Sequence, residues 1–154
     1  MKVILPGSYD PPTLGHVEII KKAAEKYKEA YAVVFINPDK DYTFTMEERV
    51  EMLRIATKDT PGVTVDFSLG RVVDYMREHS IDKIVKGYRN DTDLEYEKKQ
   101  AKYNFEHGGY ETEFIRADSE MATISSTAAR RAIERGGELS ALLSDEVIEF
   151  IKNR

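Results

Sequence analysis

The chain has 154 residues, 41% hydrophobic and 33% charged, with a formal net charge of −5; this suits one domain, 1–154, burying roughly 70% of its unfolded surface. It has no cysteine, which excludes disulfides, zinc–thiolate centres and thiol nucleophiles. The interspersed acidic balance excludes a broad nucleic-acid face, and no apolar stretch approaches the roughly 20 residues that span a bilayer.

The opening "MKVIL" is too short an apolar run for a signal peptide, and cysteine-free composition agrees with a reducing cytoplasm. "KVIL" reads as a buried strand that Pro6-Gly7 turns. From Val17 to about Tyr27 the apolar positions recur at helical spacing. "YAVVFI" (31–36) is a second strand, closed by Asn37-Pro38. Thr45 and Glu48 form a capping box for a helix through about Ala56.

"VTVDF" (63–67) is a third strand with the helix "RVVDYMREH" after it. "KIVKG" (83–87) is a fourth, followed by a long polar helix, "DLEYEKKQAKYNFEH", that stops at Gly108-Gly109. "ETEFIRA" is a fifth strand. Ser125 or Ser126 caps a helix through Arg135, and Ser144-Asp145-Glu146 opens a last helix at about 144–153.

Strand and helix alternate five times, which predicts an α/β fold, a doubly wound five-stranded parallel sheet with helices on both faces. Ligands of such sheets bind beyond the carboxyl ends of the strands, near the reversal of strand order. Five segments follow the strands: Gly7–His16, Asn37–Thr43, Leu69–Val73, Lys86–Arg89 and Glu120–Thr127.

In the first, a glycine after the strand lets an anion approach the backbone, and a helix start supplies free N–H groups and a favourable dipole. Ser8 can donate to the same anion. On spacing alone, a tight strand–helix turn with His16 as a capping or surface residue fits equally. Lys40 is a loop lysine of the kind that is commonly solvated. Lys86 and Arg89 flank Gly87 at a buried strand end, where two cations suit an anion between them. Glu97 and Asn104 are seven residues apart on one helix face. "ISST" (124–127) offers hydroxyls and N–H groups that fit either an ordinary N-cap or a phosphate.

"GSYDPPTLGH" (7–16) resembles the N-terminal signature of the nucleotidyltransferase superfamily that includes class I aminoacyl-tRNA synthetases. Its (H/T)-x-G-H stands here as Thr13-Leu14-Gly15-His16. A threonine there, with G-S/T-F/Y-D-P ahead of it, is similar to the bacterial phosphopantetheine adenylyltransferases. "NPDK" (37–40), "FTMEERVEML" (44–53), "KGYRNDTDLEYE" (86–97) and "ISST" (124–127) fall in that family's order over nearly the whole chain.

The resemblance implies a Rossmann-like fold and transfer of AMP from ATP to 4′-phosphopantetheine. By it, His16 donates to the α-phosphate, Ser8 orients the attacking phosphate and Lys40 neutralises developing charge. Tyr9, Gly87, Tyr88, Arg89 and Glu97 join Ser8 and His16 in the ATP site, with Met121, Ala122, Thr123, Ile124, Ser125, Ser126 and Thr127 around the β- and γ-phosphates. Lys86 stands where the family has an arginine on the acceptor phosphate, and Val72 and Asn104 reach the pantetheine arm.

Mg²⁺ is implied as the cofactor, held by ATP phosphates rather than by protein ligands. A homo-hexamer and feedback inhibition by coenzyme A are implied likewise. The chain departs from the family at Lys86 and at Met121-Ala122-Thr123 with Thr127; "ISST" is more usual in the pyridine mononucleotide branch. Two further readings are therefore adenylylation of nicotinate or nicotinamide mononucleotide, and a non-catalytic nucleotide-binding regulator.

Overall fold

The computed structural model describes residues 1–154. Alternation of apolar strands with amphipathic helices yields five strands: β1 (Lys2–Gly7), β2 (Glu29–Phe35), β3 (Val63–Ser68), β4 (Lys83–Tyr88) and β5 (Thr112–Arg116). The helices are α1 (Leu14–Tyr27), α2 (Met46–Thr57), α3 (Val72–Glu78), α4 (Asp91–Gly108), α5 (Ser126–Arg135) and α6 (Asp145–Asn153), with a 3-10 turn at Ser119–Met121. All strand pairs are parallel, in the order β3-β2-β1-β4-β5. This is the expected doubly wound, Rossmann-like sheet, and its order reverses between β1 and β4.

Period-two alternation along the strands divides the core between the two faces of the sheet. Val3 and Leu5 of β1, with Ala32 and Val34 of β2, meet Ile19, Ile20, Ala23 and Ala24 of α1 and Val50 and Leu53 of α2. Ile4, Val33 and Ile84 point the other way, against Tyr75 and Met76 of α3. Each fully buried valine, leucine, isoleucine or methionine among them contributes about 1.5–3 kcal/mol. α4 packs on β4 and against α3. α5 and α6 close on the outer side of α2 through Phe44, Met52, Ala129, Leu143 and Val147.

The boundaries shift in ways that matter for the site. β1 runs through Pro6 and Gly7, because β2 continues to pair with it there, Gly7 opposite Val34. Its pairing with β4 is confined to Val3 and Ile4. Beyond that register the two strands no longer pair, and their carboxyl ends flank the strand-order reversal where sheets of this kind have their ligand crevice. α1 starts at Leu14, three residues ahead of the apolar periodicity. Gly109, at φ 74° in the left-handed region, ends α4 as expected.

Gly87 carries the close approach of α1 to the end of β4. A Cβ built there would lie 2.6 Å from Cγ1 of Ile19, which is buried. Gly87→Ala is therefore expected to lower unfolding stability by about 1–3 kcal/mol through overpacking, read as a lower urea midpoint at unchanged slope. An unchanged midpoint would show that α1 moves aside freely.

Candidate active site

The crevice between β1 and β4 gathers side chains from three segments. α1 begins with Thr13 as N-cap, and His16 is its third helical residue. The His16 backbone N–H donates to Thr13 Oγ1 at 3.3 Å, and the Thr13 N–H donates to His16 Nδ1 at 2.9 Å. This is a capping box closed by histidine in place of the usual glutamate. Because Nδ1 accepts a backbone hydrogen bond, the neutral ring must carry its proton on Nε2, which leaves Nε2–H as a donor of fixed direction.

Tyr9 packs edge-on to the imidazole at 4.8 Å between centroids. Burial, then the positive charges of Lys86 and Arg89, push the His16 pKa down to about 4 from its ordinary 6.5. Imidazole, not imidazolium, is the form present at neutral pH. Lys86 and Arg89 are thus close enough for their charges to act on the His16 ring.

Between pH 6.5 and about 4 the unfolded chain binds a proton at His16 that the folded chain does not; stability is therefore lost as pH falls through that window. An NMR titration of the free protein is expected to find His16 neutral, with its proton on Nε2, at pH 6. A normal midpoint near 6.5 would contradict this geometry.

Lys86 Nζ donates to the Pro6 carbonyl at 3.2 Å and lies 3.3 Å from Glu97 Oε2. The Pro6 carbonyl is available because β4 no longer pairs with β1 at that level. Arg89, one residue past β4, has Nε 3.4 Å from Asp93 Oδ2, and its N–H donates to the same oxygen at 3.1 Å. Gly87 and Tyr88 complete the strand, the Tyr88 carbonyl accepting from Ala117 N–H at 2.8 Å.

Three residues of the third segment are already bonded. Ser125 caps α5 by accepting from Ala128 N–H at 3.0 Å, Ser126 Oγ donates to the Pro11 carbonyl at 2.8 Å, and Thr127 Oγ1 accepts from Arg130 at 3.1 Å. What faces outward is backbone: the first-turn N–H groups of Ser126 and Thr127 have no intrahelical acceptor. Ile124 is buried, and its carbonyl lies beside Gly15. Met121 and Ala122 are half-buried and Thr123 exposed. Thr127, Arg130 and Arg131 line a hollow of about 490 Å³ with Thr43 and Glu134.

The remaining expected residues are less centred. Ser8 is half-buried at the end of β1 with its carbonyl accepting from Arg49 at 2.9 Å. Tyr9 is buried and its hydroxyl donates to the Leu5 carbonyl at 2.7 Å, so only its backbone is left for a nucleotide. Lys40 is exposed in the β2–α2 loop and its ammonium makes no ion pair or hydrogen bond. Val72 opens α3, and Asn104 is the one buried residue of α4; both belong to the α3–α4 layer on the far face of the sheet.

No group of three or more histidine or acidic side chains is placed to hold a metal. Glu97 and Asp93 are paired with Lys86 and Arg89, and the Asp10 carboxylate is taken up by Thr43 and Phe44 N–H. This donor set suits an ion that arrives on a nucleotide's own phosphates, since Mg²⁺ keeps several waters and takes few protein carboxylates in such sites. No helix is long and apolar enough to cross a membrane.

An imidazole donor, two cations and a helix N-terminus at the strand-order reversal make an anion site able to hold a polyphosphate and stabilise charge growing on one of its phosphoryl groups. The Cytidylyltransferase-like family matches residues 4–132. The chain belongs to that family.

The span shared with the cytidylyltransferase-like family takes in every segment of the crevice, from Ser8 through Thr127, and leaves α6 outside. Among curated relatives, the chain is similar to the phosphopantetheine adenylyltransferase of Corynebacterium efficiens, 38% identical over 155 residues, covering 100% of this chain and 98% of that one. It is 37% identical to the phosphopantetheine adenylyltransferase of Thermobifida fusca over 151 residues, covering 98% and 92% of the two chains.

Several contacts that shape this cytidylyltransferase-like site carry no local sequence signal, even where one partner, Asp10, lies in the signature. Asp10 is buried, and its carboxylate accepts from Thr43 and Phe44 N–H at 3.0 and 2.9 Å, more than 30 residues away in sequence. Arg130 donates to the Asp10 carbonyl at 2.8 Å. Thr13 could have been found: a threonine three residues before a histidine has the spacing of a capping box.

Proposed function

We propose that this chain transfers AMP from ATP to the phosphate of 4′-phosphopantetheine, giving dephospho-coenzyme A and pyrophosphate in coenzyme A biosynthesis. The observation that carries the reading is the His16 ring at the start of α1, its Nδ1 engaged by the Thr13 N–H so that Nε2–H is left as a donor, with the charges of Lys86 and Arg89 acting on it. Likeness over the full chain to two proteins named phosphopantetheine adenylyltransferase supports the acceptor.

An oxygen of the acceptor phosphate attacks the α-phosphorus of ATP, and the bond from that phosphorus to the bridging oxygen of pyrophosphate breaks. The nucleophile arrives as an anion, so no protein base is required, and catalysis consists of positioning and charge stabilisation. His16 donates Nε2–H to an α-phosphoryl oxygen. Ser8 orients the attacking phosphate, and Lys86 exchanges Glu97 for it. Arg89 and the N–H groups of Ser126 and Thr127 hold the departing pyrophosphate, and Lys40 folds inward from its exposed loop to neutralise growing charge. Val72 and Asn104 receive the pantetheine arm. Bound with ATP on its own phosphates, Mg²⁺ would add neutralisation of the leaving group.

We place this chemistry in the cytoplasm, in a single domain that assembles as a homo-hexamer and binds coenzyme A as a feedback inhibitor. Exposed Phe67 and Leu69 at the β3 edge of the sheet supply apolar surface for such an assembly, which light scattering can size.

The test is release of pyrophosphate from Mg·ATP with a panel of acceptors: 4′-phosphopantetheine, unphosphorylated pantetheine, and nicotinate and nicotinamide mononucleotides. Turnover is expected with the first alone. A higher kcat/KM for a mononucleotide would reassign the acceptor, and ATP binding without pyrophosphate release from any acceptor would mean a regulator.

A further inference from the structure

Arg49 lies on α2, 2% exposed, and forms no ion pair. Its Nη1 donates to the Ser8 carbonyl at 2.9 Å, while its Nε is buried with no partner at all. The guanidinium carbon sits 4.0 Å from the centre of the Tyr42 ring. Tyr42 in turn holds Asn37: its hydroxyl accepts from the Asn37 N–H at 2.7 Å. Asn37 starts the tight turn in which its carbonyl accepts from the Lys40 N–H at 3.0 Å.

A buried charge without a counter-ion is expensive, and a methionine or leucine would fill the same volume without that cost. The cation is balanced if an anion docks at the Ser8 turn that it supports from behind. The stacking on Tyr42 also links that turn to the loop bearing Lys40. We propose that Arg49 is a positioning residue for the acceptor phosphate: it holds the Ser8 turn and the Lys40 loop as one unit and supplies fixed positive charge beneath them. The inference rests on the acceptor reading above.

Wild-type turnover of 4′-phosphopantetheine tests that reading by itself; only the ratio of variant to wild type tests Arg49. Arg49→Met keeps the volume and removes the charge, and Arg49→Lys keeps the charge and loses the fork. For Arg49→Met, KM for the acceptor is expected to rise at least tenfold with KM for ATP within about twofold and no fall in melting temperature. Calorimetry should show weakened binding of 4′-phosphopantetheine and unchanged binding of unphosphorylated pantetheine. Arg49→Lys is expected to recover part of the acceptor affinity.

An acceptor KM within twofold of wild type, or equal losses for ATP and acceptor, would overturn the proposal. If Arg49→Met does not fold, Arg49→Lys decides on the same readouts: a loss confined to the acceptor supports the inference, and no loss or a shared loss overturns it. If the wild type turns over no acceptor, the probe is inorganic phosphate: tighter binding to wild type than to either variant supports a charged turn, and equal binding overturns it.

Discussion

His16→Ala is expected to lower kcat about 100-fold or more while leaving KM for ATP within a few-fold. Losing one preorganised donor to a developing oxyanion costs about 2.7–4 kcal/mol of transition-state stabilisation. The effect falls on kcat because charge on the α-phosphoryl oxygens grows only as the acceptor attacks, so the ground state gains little from the donor. His16 is suited to this role by its surroundings rather than by titration. Thr13 occupies Nδ1, and burial with Lys86 and Arg89 keeps the ring neutral. Steady-state kinetics at saturating ATP, with the melting temperature checked alongside, measure the effect. A kcat within threefold of wild type would remove His16 from the chemical step.

The largest stability effect is expected at Asp10. Its carboxylate satisfies the N–H groups of Thr43 and Phe44, which bring the chain from the Lys40 loop into α2. Hydrogen bonds to a charged group contribute about 1.5–3 kcal/mol each, and an abandoned buried donor adds its desolvation penalty. Phe44 is fully buried, so its N–H has no water to turn to once the carboxylate is gone. Asp10→Ala is therefore expected to destabilise the fold by about 3 kcal/mol, seen as a lower urea midpoint. It should also loosen the Lys40 loop against the Ser8 turn, raising KM for the acceptor. A loss of unfolding free energy below about 1 kcal/mol would mean that Thr43 and Phe44 find other acceptors.

The sheet was readable because each strand is a short apolar run and each helix has a cap or an apolar stripe. Thr45 with Glu48 and Ser144 proved to be caps as read. The start of α1 was not readable by periodicity. Leu14, Gly15 and His16 show no helical apolar pattern, and the cap that starts the helix uses histidine where glutamate is usual. The strand order also lies outside local sequence, since it depends on which strands pair. Residues at strand ends could be nominated from sequence, whereas their partners could not. Asp10 with Phe44, Arg49 with Ser8, Ser126 with Pro11 and Lys86 with the Pro6 carbonyl all join distant segments. Tyr9 shows the converse. Its place in the signature suggests a ligand contact, while its hydroxyl is bonded to Leu5 inside the fold.

The proposed reaction requires direct attack by the acceptor's own phosphate on the α-phosphorus of ATP. Supplying Mg·ATP with 4′-phosphopantetheine whose phosphate carries ¹⁸O tests this in one measurement by mass spectrometry. All of the label is predicted in dephospho-coenzyme A and none in pyrophosphate, with one product of each formed per ATP consumed. Label in pyrophosphate, an adenylylated protein, or ATP bound without any adenylylated acceptor would contradict it.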